Sequence, residues 1–305
     1  MSYNVKIIKY SSGGYQVRLY SENVGMNTYC PIDDELSLDY LDTDGELHTV
    51  KLGSETGRTS TENEYFLNPF TGEYEKFRSI SEAERSQRIS RNRTLNNLYY
   101  DTRSNVWDWF ITLTFAPDKV DRYSYDACVK KMHSWLTVCR RSCPDMKYIL
   151  VPELHKDGAF HFHGLFSNCD GLEFIDSGVK DDNGKTIYNV GKYKLGFTEA
   201  TRVQSTEKVS KYITKYITKE LCAVTFGKKR YWKSRNLVKA EVVELSMSVE
   251  EKVAFLESLQ DNIQFQKVVG GDYVRTEYIE LKDGIDIEFV NEWGEIIDGN
   301  STECL

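Results

Sequence analysis

The chain has 305 residues, 13% of them aromatic, enough to bury a sizeable core in one or two domains. Its formal net charge of −8 is unevenly spread: 76–240 holds 30 Lys and Arg against 18 Asp and Glu, a net of +12, and the remainder carries −20. A basic middle keeps phosphate backbones among the partners, whereas no apolar run is long enough to span a bilayer.

The opening run, "MSYNVKIIKYSSGG", has no continuous apolar core, so export is not expected. Seven cysteines without a Cys-x-x-Cys pair read as reduced thiols in a cytosol. Residues 1–75 alternate short strand-like runs with Gly, Asn and Asp turns and predict an acidic, β-rich N-terminal extension. From 79 to about 106 the pattern is helical, with Ser81 and Glu84 as a capping box. Arg85, Arg88 and Arg91 or Arg93 then share one face.

"DWFITLTF" (108–115) is β-branched and aromatic, and Pro117 stops it: a strand. Residues 124–142 predict a helix that buries Ala127, Met132, Trp135, Leu136 and Cys139. "KYILVPEL" (147–154) is a second strand, and "AFHFHGLFS" (159–167) returns after the "HKDG" turn. Strand, helix, strand, hairpin, strand predicts an α+β fold with a central antiparallel sheet and flanking helices.

Period-two geometry puts His161 and His163 on one face and Phe160, Phe162 and Phe166 on the other. Two adjacent imidazoles either share a divalent metal or sit together by accident. Glu153, on the partner strand, would complete a two-nitrogen, one-oxygen set suited to Mn²⁺ or Mg²⁺. His155 in the turn is the competing third ligand, ranked second because a turn holds it less firmly.

Gly184-Lys185-Thr186 resembles the end of a phosphate-binding loop, but Val179 stands where that loop needs glycine. A polar hairpin explains the run better, and the chain holds no ATPase motif. Residues 209–220, "VSKYITKYITKE", repeat Tyr-x-x-Lys. As one helix they would stack Tyr212 on Tyr216 and set Lys215 and Lys219 in a row beside them. Core packing accounts for such a helix by itself. A phenol beside lysine and a metal can also attack phosphate, because the cations stabilise the phenolate and the charge on the phosphoryl oxygens. In "FGKKRYWKSRNL" (226–237), Arg230, Lys233 and Arg235 interleave with Tyr231 and Trp232, basic groups for phosphates and aromatics for unpaired bases. Residues 241–305 open with an acidic helix, "SVEEKVAFLESLQ", and are expected as a separate C-terminal extension without assignable chemistry.

The order "WFITLTF", "HFH", "KYITKYITK" resembles the HUH endonuclease superfamily, and within it the rolling-circle replication initiators of phages and plasmids, filamentous-phage type included. The resemblance covers about 108–220 and implies a nicking and joining domain at 76–240. It implies metal ligands at His161, His163 and Glu153, and nucleophilic tyrosines at Tyr216 and Tyr212. Single-stranded or hairpin origin DNA would be cut to leave a 5′-phosphotyrosine link and a 3′-OH primer, then rejoined. A host helicase and polymerase would complete replication in the cytoplasm of a host cell, expected to be bacterial. Tyr216, followed by Lys219-Glu220, is expected to attack first, with Tyr212 as its partner or as a packing residue. A relaxase or transposase of the same superfamily is the nearest rival, and a non-catalytic DNA-binding regulator the more distant one.

Overall fold

The computed structural model describes residues 2–25, 82–182, 184–270 and 274–284, together with the strand segments 36–41, 47–52, 65–67 and 74–76. The chain divides into two units, Met1–Ser2 with Val24–Ser86, and Tyr3–Asn23 with Gln87–Leu305. It opens with β1 (Ser2–Lys9) and β2 (Tyr15–Gly25). The first unit contains two antiparallel pairs, β3 (Leu36–Leu41) with β4 (Leu47–Leu52), and β5 (Tyr65–Leu67) with β6 (Tyr74–Lys76).

The second unit holds the site. Most of α1 (Glu82–Arg103) lies in it, followed by β7 (Trp109–Phe115), α2 (Tyr125–Ser142), β8 (Lys147–Leu154) and β9 (Phe160–Ser167). Next come β10 (Phe174–Lys180), β11 (Thr186–Val190), β12 (Gly196–Arg202), α3 (Thr206–Thr214), α4 (Lys219–Val224) and β13 (Trp232–Lys233). The strands form one antiparallel sheet in the order β10-β11-β12-β7-β9-β8-β13. The fold is the expected α+β arrangement. The capping box expected at Ser81 lies outside the described residues. The Gly184 run is the turn of the β10–β11 hairpin, with Gly184 N–H donating to the Asp181 carbonyl.

Alternation decides what each face of this sheet meets. Leu113 and Phe115 of β7 and Phe162 and Phe166 of β9 are buried in one core with Met132, Trp135 and Leu136 of α2. Each such side chain contributes about 1.5–3 kcal/mol by leaving water. Ser124 starts α2 by accepting from the Ala127 N–H. Gly164 has no room for a side chain, since a Cβ would lie 2.6 Å from the Phe166 ring and 2.7 Å from Leu150. The opposite face of the sheet carries the histidines.

The two chain ends do not form separate extensions. β14 (Glu241–Leu245), α5 (Val249–Leu259), β15 (Ile263–Gly270) and β16 (Arg275–Leu281) complete a second sheet, ordered β14-β1-β2-β16-β15. Val5 and Ile7 pack with Val17, Leu259, Ile279 and Leu281, while Ile8 and Tyr10 bury against Tyr99 of α1. Both faces of β1 are therefore covered, which explains its nearly continuous apolar run. Among the described residues no helix is long and apolar enough to cross a membrane.

Candidate active site on the histidine face

Three neighbouring strands present one face. Thr114 pairs with His161 and Thr112 with His163 across β7–β9, and Glu153 pairs with His161 across β8–β9. The register thus brings both imidazoles and the carboxylate to the same side, as the spacing predicts. Each ring is held at one nitrogen: Thr112 Oγ1 lies 3.2 Å from His163 Nδ1, and Thr114 Oγ1 lies 3.2 Å from His161 Nδ1. Such contacts set the tautomer that leaves Nε2 as the lone-pair donor. The sequence reading missed both threonines, although "TLT" repeats at the same period two as "HFH".

His163 Nε2 lies 2.6 Å from Glu153 Oε2, and His155 stacks on His161 with ring centres 4.2 Å apart. His155 therefore lies against the pair without replacing Glu153. The hydrogen bond to His163 holds the Glu153 carboxyl below the usual carboxylate range, against the effect of burial. Burial, followed by repulsion from His155, pushes His161 below the ordinary imidazole value. Ionised carboxylate and neutral imidazole are the forms that bind metal. Among the described residues no three His, Cys, Asp or Glu side chains already surround one point. The donor set nevertheless fits a borderline divalent cation, with two imidazole nitrogens oriented by threonines and one carboxylate alongside.

The Tyr-x-x-Lys repeat is not a single helix. α3 stops at Thr214, residues 215–218 turn, and the Thr218 hydroxyl caps α4 by accepting from the Leu221 N–H. The turn lets Ile213 and Ile217 both reach the core. Tyr216 lies flat on His163, with centroids 3.7 Å apart and an interplanar angle of 6°. Tyr212 meets the Tyr216 ring edge-on, and the Tyr216 hydroxyl donates to the Tyr212 oxygen. Both tyrosines thus reach the histidine face by a route other than helical stacking.

Their surroundings differ. Tyr216 is 6% exposed and Tyr212 46%. Burial, then the hydrogen bond to Tyr212, drives the Tyr216 phenol far above its ordinary value. Burial also acts to raise Tyr212, but the hydrogen bonds from Lys215 and Tyr216 outweigh it and bring that phenol below its ordinary value. Lys215 Nζ lies 3.4 Å from the Tyr212 ring centre and 5.0 Å from that of Tyr216. Lys219 opens α4 and is exposed, so the expected parallel lysine row does not form. Arg91 of α1 was expected on an arginine face. Its Nε instead donates to the Ile217 carbonyl and ties α1 to the tyrosine turn.

The basic run after α4 only partly matches the sequence reading. Trp232 is buried against Phe162, Tyr125 and His133 and has no face free for a base, because β13 adds it to the sheet edge. The Tyr231 hydroxyl donates to Asp101, and Lys233 forms an ion pair with the same carboxylate at 2.6 Å. Arg230 is buried, donating to Ser90 and Thr94 of α1, while Arg235 is exposed. The exposed aromatic of the run is Phe226, at 72%.

Residues 108–221 match the model of a family of replication-associated proteins, the ORF2 type. The matched segment runs from β7 into α4 and includes every side chain of the histidine face named above. No curated protein and no solved structure matches.

Proposed function

We propose, from the match of segment 108–221 to that family of replication-associated proteins, that the chain initiates replication by nicking and rejoining single-stranded origin DNA. The observation that carries this reading is the convergence of His161, His163, Glu153, Tyr212, Tyr216 and Lys215 on one sheet face. Phenols beside a lysine and a ligand set are equipment for phosphoryl transfer.

Held by His161, His163 and Glu153, a Mn²⁺ or Mg²⁺ ion would polarise the scissile phosphate and offset the charge on its oxygens. Lys215 favours the phenolate of Tyr212, whose proton is lost to water. The phenolate oxygen bonds to phosphorus, the bond from phosphorus to O3′ breaks, and the leaving oxygen takes a proton to become the 3′-OH primer. The 5′ end stays linked to tyrosine, so rejoining needs no ATP. Exposure and electrostatics favour Tyr212 as the first nucleophile, reversing the order the motif alone suggested. Tyr216, buried and protonated, acts as donor to Tyr212 and as acceptor of the second transfer. Unwinding and synthesis fall to a host helicase and polymerase.

The test is incubation with Mn²⁺ and a mixed pool of single-stranded oligonucleotides, followed by denaturing gel and mass spectrometry. A tyrosine–DNA adduct is expected. DNA binding without any adduct would make the chain a non-catalytic binder.

A further inference from the structure

A cavity of about 360 Å³ lies between α1 and the loop before β13, lined by Ser90, Thr94, Lys228, Lys229, Arg230 and Lys233 among others. It lies outside the histidine face and outside the segment matched by the family. We propose that it is a nucleotide subsite. It would take a non-scissile backbone phosphate of the bound strand, while Phe226 at its rim stacks on the neighbouring base.

The lining is built rather than incidental. Arg230 is only 8% exposed, and its guanidinium is fixed by Nη1 donating to Ser90 Oγ at 3.0 Å and to Thr94 Oγ1 at 3.4 Å. Its Nε is buried without a hydrogen-bond partner. The Tyr125 hydroxyl pins the loop by donating to the Lys229 carbonyl. Two of the lining lysines are already compensated, Lys228 by Asp126 and Lys233 by Asp101. Lys229 and Arg230 have no ion pair among the described residues. A desolvated arginine and a lysine without counter-charge, with two hydroxyls between them, make a site for an anion.

The aromatic argues for a nucleotide rather than a bare anion. Phe226 is 72% exposed and immediately precedes the lining residue Gly227. A solvated phenylalanine beside cationic groups is the pairing that single strands use, base on ring and phosphate on cation. The pocket is also linked to the catalytic face. Ser90 is one residue along α1 from Arg91, whose Nε holds the Ile217 carbonyl in the tyrosine turn. A phosphate seated here would fix how far along the strand the scissile bond lies.

This inference rests on the nucleic-acid reading above, and its test separates the two. Each phosphate of a single-stranded oligonucleotide that the protein binds is replaced in turn by a neutral methylphosphonate, and affinity is measured without divalent cation. One non-scissile position should cost the wild type about tenfold, and that cost should vanish in Ser90→Ala and in Lys229→Gln. Removing the base beside that position should cost as much as Phe226→Ala does, with no further loss when the two are combined. A scan that is flat away from the scissile bond, or unchanged by the variants, overturns the subsite while leaving nicking intact. Saturable binding of inorganic phosphate with a flat DNA scan likewise overturns it, in favour of a small-anion pocket. A positive scan in a protein that forms no adduct keeps the subsite and sinks the nicking reading instead.

Discussion

The Tyr216 hydroxyl donates to the Tyr212 oxygen across 3.2 Å, joining a buried phenol to an exposed one. The donor cannot readily ionise, since burial disfavours its charge. The acceptor gains that hydrogen bond together with Lys215. One hydrogen bond therefore sorts two chemically identical side chains into a nucleophile and its support.

Tyr212→Phe should lower first-step adduct formation by about a hundredfold or more, because it deletes the attacking oxygen and keeps the ring. Tyr216→Phe should still form adduct, at a higher pH optimum, since Tyr212 loses a hydrogen-bond donor. Mapping the adduct to Tyr216 in the wild type would return the first step to the residue favoured by the motif.

Thr112→Val and Thr114→Val each remove the group beside a histidine Nδ1 while nearly conserving shape. Loss of such a partner typically weakens metal binding by about 10–100-fold. Mn²⁺ titration by calorimetry reads this independently of activity, and serine at the same positions should restore it. Unchanged Mn²⁺ affinity in both valine variants would mean that the threonines merely pack.

How much of this was legible follows from which forces are local. β7, α2 and the β8–β9 hairpin were readable because period and turn signals are set by neighbours in sequence, and the same periodicity put His161, His163 and Glu153 on one face. The break at 215–218 was hidden, since "KYITKYITK" keeps an unbroken helical pattern. Its one mark is Thr218, whose capping role shows only once Leu221 is seen to begin a new helix. Trp232 looked free beside five cations, but pairing with Leu150 of β8 turns it inward. The pairing of Val5 with Leu245, 240 residues apart, leaves no local trace at all.

That pairing makes a prediction about truncation. A chain cut to 76–240 would lose β1, β2, β14 and β16, uncovering Tyr99, whose burial partners include Ile8 and Tyr10, and freeing Arg103 from Asp283. Losing Ile8 and Tyr10 alone removes about 3–6 kcal/mol of apolar burial. The fragment should melt well below the full chain and expose apolar surface to a hydrophobic dye. A fragment as stable as the full chain would show that the second sheet is dispensable.

The final prediction concerns a carboxyl inside that second sheet. Glu280 of β16 is 7% exposed, and its Oε1 accepts from Gln16 Nε2 at 2.6 Å and from the Tyr99 hydroxyl at 3.2 Å. Burial raises its pKa above the ordinary carboxylate value, although those two donors, Lys211 and Arg103 pull the other way. The folded chain therefore keeps this proton to higher pH than the unfolded chain does. Stability falls as pH rises from the ordinary carboxylate value through the raised one, because the native state binds more protons across that window. Glu280→Gln supplies an uncharged carbonyl to the same two donors. It should melt above the wild type at pH 7, and the difference should close near pH 4, where Glu280 is itself neutral. Scanning calorimetry at both pH values decides the matter: a gap that is constant with pH, or a wild type that is the more stable at pH 7, would show that the surrounding cations compensate the charge fully.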